Sequence, residues 1–391
     1  MTSSPTWSVI LPTFNRDRLV PEAIRSVLAQ TLADWELIVV DDGSEDGTQA
    51  LESVCRSDAR IHYVRQAHAG RSVARNRGFS RAQGEFICFL DSDDTYLSTA
   101  LATHAAAFES GGQIGLTIGG YQQIDEAGAV VGERRPWTEC DRLTPEAWLF
   151  NCYAMPGSVA LRREWFESAG GFDSGFEAGE DWDLFLRLAF AGCPMGWAPD
   201  LVCQRRLHPG NSTNDVSWHR NGSLRALEKL FRSEELPADV AALENRAKAW
   251  AYAASARSAA SLGLDELVRE NLRSAADLHA LPRWERRGLS LSPQGFPSLV
   301  EGLLADVVPR DGVSVTDMGM LLADLPSRWN IAAVDVRRGL ARVEMSRFFE
   351  ALARGARGEA ARHLRDGLKH DGRWLVNRAV ITFLVRRPLE A

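Results

Sequence analysis

Along the N-terminal part of the chain, short segments rich in apolar residues, Trp7–Pro12, Trp35–Val40 and Arg60–Arg65, read as strands, and Glu85–Leu90 is a nearly continuous apolar run. Runs of this kind suit strands buried on both faces, as in a parallel sheet covered by helices. Between them the period changes. Leu19, Ala23, Ile24, Val27 and Leu28 recur at helical spacing behind Asp17, which is expected to cap that helix. Asp46-Gly47-Thr48 opens the next helix with Asp46 as its cap, and a third runs from Gly70 to about Gln83. Strand, polar loop, helix, repeated, predicts a doubly wound α/β domain.

Further along, the pattern predicts a helix over 98–110, a strand over 114–121, a hairpin turn at Asp125–Gly128 and a strand over 158–162. Trp182, Phe185, Leu186 and Ala189 mark one face of a helix whose start carries Glu180 and Asp181, and residues 196–205 read as a last strand. Beyond about residue 220 the composition shifts to Ala, Leu, Arg and Glu. Helical hairpins are expected over 245–280 and 345–369, with Ile331–Val336 as a short strand or connection. The division expected is therefore 1–218, α/β, and 219–391, mainly helical.

At 391 residues the chain exceeds the usual size of one core, which agrees with two domains. A formal net charge of −7 argues against general nucleic-acid binding. The six cysteines include no Cys-x-x-Cys pair, so free thiols in a reducing compartment are expected. Neither a signal peptide nor an 18-residue apolar span is visible, and a cytoplasmic protein is the expectation, peripheral at the inner face of a membrane if it touches one. From Arg337 to the end basic residues outnumber acidic ones, which suits either an anionic membrane surface or a solvated helix face.

Candidate chemistry sits where the strands end. Asp91, Asp93 and Asp94 follow the fourth strand with only Ser92 between the first two. Carboxylates so crowded resist ionising together unless a cation such as Mg²⁺ or Mn²⁺ joins them, although Asp-x-Asp-Asp also serves in turns and caps. Asp41 and Asp42 end the second strand, placed to accept hydrogen bonds from a base or ribose. Arg71, Arg75 and Arg77 load the first turns of a helix, where the macrodipole disfavours cations; a diphosphate partner or solvation would offset that. Trp137, Trp148 and Tyr153 suit sugar stacking or core packing equally. His208, beside Arg205 and Arg206, suits a metal or a phosphate. With neither Gly-x-Gly-x-x-Gly after the first strand nor Gly-x-x-x-x-Gly-Lys-Ser/Thr, dehydrogenase and P-loop readings are disfavoured.

Taken in order, Val9-Ile10-Leu11-Pro12-Thr13-Phe14-Asn15-Arg16, Val39-Val40-Asp41-Asp42-Gly43-Ser44, Gly70-Arg71-Ser72-Val73-Ala74-Arg75-Asn76, Phe89-Leu90-Asp91-Ser92-Asp93-Asp94, Gly179-Glu180-Asp181-Trp182-Asp183 and Arg206-Leu207-His208-Pro209-Gly210-Asn211-Ser212 resemble the motifs of the family 2 glycosyltransferases, over residues 7–213. The resemblance implies a GT-A-type nucleotide-binding domain with a mostly parallel sheet. By the same resemblance Pro12, Thr13, Asn15, Arg16, Asp41, Arg71, Arg75, Asp91 and Ser92 would hold the donor, with Asp91 on the ribose. Asp93 and His208 would hold Mn²⁺ or Mg²⁺, Asp181 would be the catalytic base, and Glu180, Trp182, Asp94 and Arg206 would contact the acceptor or support the site.

A cation that neutralises the leaving diphosphate and a carboxylate that takes the acceptor's proton make a direct displacement with inversion. Glu180 cannot act as a second carboxylate on the same atom, because neighbours on a helix diverge by about 100 degrees. The expected donor is a UDP-, GDP- or dTDP-sugar, and the acceptor a glycan, a lipid-linked or small molecule, or a protein. The helical part would serve acceptor, membrane or homodimer contacts. The competing readings are a catalytically silent nucleotide- or glycan-binding protein of the same fold and a sugar nucleotidyltransferase, the latter disfavoured because no Gly- and Arg-rich loop follows the first strand.

Overall fold

In the computed structural model, strands β1 (Trp7–Thr13) and β2 (Trp35–Asp41) are buried at every position, and their polar residues Ser8 and Glu36 are paired, Ser8 Oγ donating to Glu36 at 2.6 Å. The structure describes residues 5–264 except 111 and 141, scattered positions between 266 and 278, residues 345 and 348, and residues 357–370. The other strands are β3 (Ile61–Arg65), β4 (Phe86–Phe89), β5 (Thr95–Tyr96), β6 (Leu116–Ile124), β7 (Val130–Arg134), β8 (Val159–Arg162) and β9 (Met195–Arg206). They form one nine-stranded sheet ordered β3-β2-β1-β4-β8-β6-β9-β5, with β7 paired to β6.

The first half, β3-β2-β1-β4, is parallel throughout. Its crossovers carry α1 (Val20–Leu28), α2 (Leu51–Cys55) and α3 (Arg71–Phe79). Because these strands run one way, the loops after β1, β2 and β4 emerge at one end of the sheet, and the register sets Thr13 directly beside Asp41. The second half is mixed: β8 joins β4 and β6 antiparallel, while β6 and β9 pair in parallel. The expected hairpin after β6 is present, with Asp125 Oδ1 accepting the N–H groups of Ala127 and Ala129 at 2.9 and 2.8 Å. Under the parallel half, Val9, Leu11, Val20, Ile24, Val27, Leu37 and Val39 form part of the buried core. Each such side chain contributes about 1.5–3 kcal/mol.

One local expectation is corrected. Asp17 does not cap α1: the cap position is Leu19, with no side-chain bond, and the Arg16 carbonyl accepts the N–H groups of Leu19 and Val20. Pro21 in the first turn has no N–H to be capped, so a carboxylate there has less to satisfy. Asp46 caps as expected, its Oδ1 accepting the Thr48 N–H at 2.9 Å.

The remaining helices of this part are α4 (Ala100–Ser110), α5 (Pro145–Trp148), α6 (Arg163–Ser168), α7 (Glu180–Phe190), α8 (Val216–Phe231) and α9 (Ala238–Ala241). The chain divides into two compact units, Met1–Ala241 and Ala242–Ala391. A boundary at 218 would cut α8, which belongs with the first unit. Lys229 on α8 reaches Asp183 on α7 at 2.9 Å and Asp173 at 2.7 Å. The α8 backbone also comes close to the segment leading into α7: a Cβ at Gly222 would lie 2.4 Å from the Ala178 carbonyl oxygen. Gly222→Ala is therefore expected to destabilise the fold by about 1–3 kcal/mol, the clash with backbone outweighing the gain in helix propensity. A lower midpoint in urea unfolding, at unchanged slope, is the check.

In the second unit the described helices are α10 (Glu244–Ser261) and α11 (Arg357–His370), within the two stretches of expected helical hairpins. Ile331–Val336, the break at Gly355 and most of the basic C-terminal stretch lie outside the described residues; Arg362, Arg365 and Lys369 are exposed on α11. Among the described residues no helix is long and apolar enough to cross a membrane. All six cysteines are free, with Cys55, Cys88, Cys193 and Cys203 buried.

Candidate active site

The corner made by the ends of β1 and β2 is held together by side-chain to backbone bonds. Asn15 takes a left-handed conformation (φ 51°) that asparagine tolerates, donates its N–H to Ser44 Oγ at 2.9 Å and accepts the Glu45 N–H at 2.9 Å. Asp41 is fully buried, accepting from Ser44 N–H at 2.8 Å and from the Tyr63 hydroxyl, with Arg65 Nε at 3.6 Å. Asp42 accepts the N–H groups of Ala69 and Gly70 at 2.9 and 2.8 Å and so fixes the loop leading into α3. Pro12 is buried within β1, and Thr13 Oγ1 is buried without a partner. The exposed surface at this corner is Phe14 stacked on His68, ring centroids 4.1 Å apart. Phe14 lies inside the motif Val9–Arg16, whereas nothing in the local sequence marks His68.

At the end of β4 the three carboxylates have separate fates. Asp91 accepts from Arg75 Nη2 at 2.6 Å. Burial alone would raise its pKa, but the Arg75 charge and hydrogen bond outweigh that and hold it below the usual carboxylate range. Asp94 is buried and accepts the Arg206 N–H at 3.0 Å; burial first, then repulsion from Asp93 and Asp91, pushes its pKa well above the ordinary value. The repulsion in that shift comes from the same crowding of Asp91, Asp93 and Asp94 that the sequence implied. Ser92 is buried between them.

Asp93 keeps partial access to solvent, with His208 Nε2 at 3.1 Å and Arg16 at 3.7 Å from its Oδ2. The Gly210 N–H donates to His208 Nδ1 at 3.1 Å, which leaves Nε2 as the hydrogen-bearing nitrogen of the neutral ring. In this arrangement His208 donates to Asp93 and orients it. Among the described residues no group of three or more His, Cys, Asp or Glu side chains forms a cation cage. The donor chemistry of Asp93 fits instead a hard cation that takes one carboxylate from the protein and its other ligands from a diphosphate and water.

The third element is the start of α7. Gly179 precedes it with φ 75°, where a Cβ would also strike the Gly222 backbone. Glu180 is buried, accepting from Arg75 Nη1 at 2.8 Å, with Arg71 at 3.8 Å. Asp181 is half-buried and accepts the Trp182 N–H at 2.8 Å. Burial, then the neighbouring Glu180 charge, raises its pKa; the value is pushed up to about 6. That places it near the pH at which a carboxylate is an effective proton acceptor.

The structure thus brings Asp91, Arg75, Glu180 and Asp181 into one connected group, with Asp93, His208 and Arg16 beside it through Asp91-Ser92-Asp93. Of the arginines expected to face an anion, Arg71 and Arg77 are exposed and Arg75 is not. Trp182 is buried and donates Nε1–H to the Trp148 carbonyl at 2.8 Å, and the Arg206 side chain runs away to Glu22 and the carbonyls of Asp125 and Glu126. Trp148 and Tyr153 are buried against each other edge to face, which settles them as packing residues, while Trp137 is half-buried.

The sequence profile described as "Glycosyl transferase family 2" matches residues 8–169. An uncharacterized glycosyltransferase of Rickettsia felis is 33% identical over 185 residues, which are 46% of this chain and 30% of that protein, so the chain spans under a third of that relative's length. The protein named UDP-Glc:alpha-D-GlcNAc-diphosphoundecaprenol beta-1,3-glucosyltransferase WfgD of Escherichia coli is 32% identical over 182 residues, 46% of this chain and 68% of that one. In fold, the chain resembles the mannosyltransferase PcManGT of Pyrobaculum calidifontis, solved with GDP-Man and Mn²⁺: the TM-score is 0.53 at 19% identity, over 83% of this chain and 81% of that one. With its parallel nucleotide half and the extent of WfgD it matches, the chain belongs to the family 2 glycosyltransferases, on a GT-A fold.

Proposed function

We propose that this protein transfers a sugar from a nucleotide-diphosphate sugar to an acceptor hydroxyl with inversion, Asp181 acting as general base and Asp93 as the protein's ligand to Mn²⁺ or Mg²⁺. The observation that carries this reading is the pairing of two acidic centres at one end of the sheet: Asp91 and Asp93 beyond β4, and Asp181 at the start of α7, linked through Arg75 and Glu180. Asp93 serves the donor and Asp181 the acceptor.

On the donor side, Thr13 Oγ1 is an unsatisfied buried hydroxyl and Phe14 on His68 is an exposed aromatic platform, both suited to a nucleoside. Arg71 and Arg16 are the accessible cations for the diphosphate. A bound divalent cation would neutralise charge on the departing diphosphate without any proton transfer. On the acceptor side Asp181 accepts the hydroxyl proton as that oxygen attacks the anomeric carbon. The name of WfgD, which includes a diphosphoundecaprenol-linked sugar, supports a lipid-linked glycan as the acceptor class.

Release of nucleoside diphosphate from UDP-Glc, UDP-GlcNAc and GDP-Man, each with Mn²⁺ and with EDTA, tests the proposal. Turnover of one donor with Mn²⁺ and none with EDTA is expected. Binding of a donor without turnover, even with a synthetic prenyl-diphosphate-linked sugar as acceptor, would favour the silent binding protein.

The base also fixes a pH dependence. Asp181 works only as the carboxylate, so activity rises with pH through its pKa. With that value near 6, kcat/KM for the donor is expected to be half its plateau near pH 6 and about ten-fold below it at pH 5. Initial rates across pH 4.5–8 at constant ionic strength check this; a flat profile contradicts it.

A further inference from the structure

We infer that Arg75 is a positioning residue: its buried guanidinium ties the donor-side carboxylate Asp91 to the acceptor-side carboxylate Glu180, and so holds Asp181 in its working place and charge environment. The inference rests on the proposed role of Asp181. It differs from a reading of Arg75 as a contact of the nucleotide.

The geometry leaves Arg75 little else to do. Its side chain is 2% exposed. Nη2 donates to Asp91 at 2.6 Å and Nη1 to Glu180 at 2.8 Å, Cζ lies over the Phe172 ring 5.1 Å from its centroid, and Nε is buried with no partner. Next to it Asn76 exchanges two hydrogen bonds with the Phe172 backbone, at 2.7 and 3.0 Å, so α3 is pinned to the segment that leads into α7. Three stretches far apart in sequence, α3, the end of β4 and the start of α7, therefore meet on one cation. Buried ion pairs of this kind are weak sources of stability, because desolvation offsets most of their attraction. What this one supplies is geometry, two fixed hydrogen bonds in a rigid fork.

The same cation shapes the field at Asp181. The groups acting on that carboxylate are Glu180 beside it, Arg75 from α3 and Asp91 from the end of β4, and the thiol of Cys152 also lies within its field. Glu180 and Asp91 favour the protonated form, whereas Arg75 favours the carboxylate. Removing the Arg75 charge must therefore raise the pKa of Asp181, and removing the Glu180 charge must lower it.

Carbon-13 carboxyl NMR of the 391-residue chain, with the Asp181 resonance assigned by its loss in Asp181→Asn, reads this directly and needs no substrate. The wild-type midpoint is expected near 6. Arg75→Met should move it to higher pH and Glu180→Gln to lower pH. Arg75→Lys keeps the charge but loses the fork, so its midpoint should stay near wild type while donor turnover falls on the order of 10- to 100-fold. Should Arg75→Met not fold, Glu180→Gln and Arg75→Lys still decide. An unmoved midpoint in a folded Arg75→Met or in Glu180→Gln overturns the inference, as does full turnover in Arg75→Lys. If instead the midpoints move as expected while Asp181→Asn retains its turnover, the assignment of Asp181 as base fails and the electrostatic linkage stands.

Discussion

Asp181→Asn is expected to lower sugar transfer about 10²- to 10⁴-fold while leaving donor affinity within a few-fold of wild type, the range associated with losing a general base. The substitution is nearly isosteric, and its amide oxygen can still accept the Trp182 N–H that Asp181 accepts at 2.8 Å. The start of α7 should therefore keep its shape. The removed charge belongs to a carboxylate whose pKa is already raised by burial and by Glu180, so its loss eases repulsion within the group. A folded, donor-binding protein with transfer lowered to that extent is the expected phenotype, measured by initial rates beside calorimetric donor titration. Transfer at near wild-type rate would remove Asp181 from the mechanism.

Asp93→Ala is expected to cost about 10²- to 10³-fold in turnover, the scale found when one pre-set electrostatic stabiliser is removed. Its signature should differ from that of Asp181→Asn. Donor binding should lose its dependence on Mn²⁺ in a titration run with and without EDTA, because the proposed protein ligand to the cation is gone. Asp93 is partly solvent-accessible and its partners are His208 at 3.1 Å and Arg16 at 3.7 Å, so little buried structure depends on it. The melting temperature without ligand should hardly change. Retention of Mn²⁺-dependent binding in this variant would assign the cation elsewhere in the cluster.

The two substitutions together divide the site by half-reaction. The first removes proton acceptance and spares the donor; the second weakens departure of the diphosphate and spares the base. A variant pair that failed in the same way, with both donor binding and transfer lost and the melting temperature lowered, would point to a structural cluster instead.

The alternation of β1, α1, β2 and α3 was legible in sequence because it rests on local patterns: runs rich in apolar residues, helical spacing, and turn residues at their junctions. Asp46 as a cap and Asp125 at the hairpin were legible for the same reason, since each bonds within four residues of itself. Asp17 misled because this favourable cap residue stands three positions before the helix, which starts at Val20 with Leu19 at the cap position and Pro21 in its first turn. The expected boundary at 218 follows a change in composition, whereas Lys229 of α8 pairs with Asp183 of α7 and Gly222 packs on the Ala178 backbone.

What the sequence by itself determined is therefore the alternating strands and helices of the parallel half, and the placing of Asp41, Asp91 and Asp93 at strand ends and Asp181 at a helix start. Parallel strands then carry those ends to one side. What only the tertiary structure decided is the state of each group there. Arg75 and Glu180 are 105 residues apart in the chain yet joined at 2.8 Å, and Arg206 reaches Glu22 from 184 residues away. Whether a carboxylate is a free base, a buried acid or half of an ion pair depends on desolvation and on the charges brought beside it, and neither is a property of the residue's neighbours in sequence.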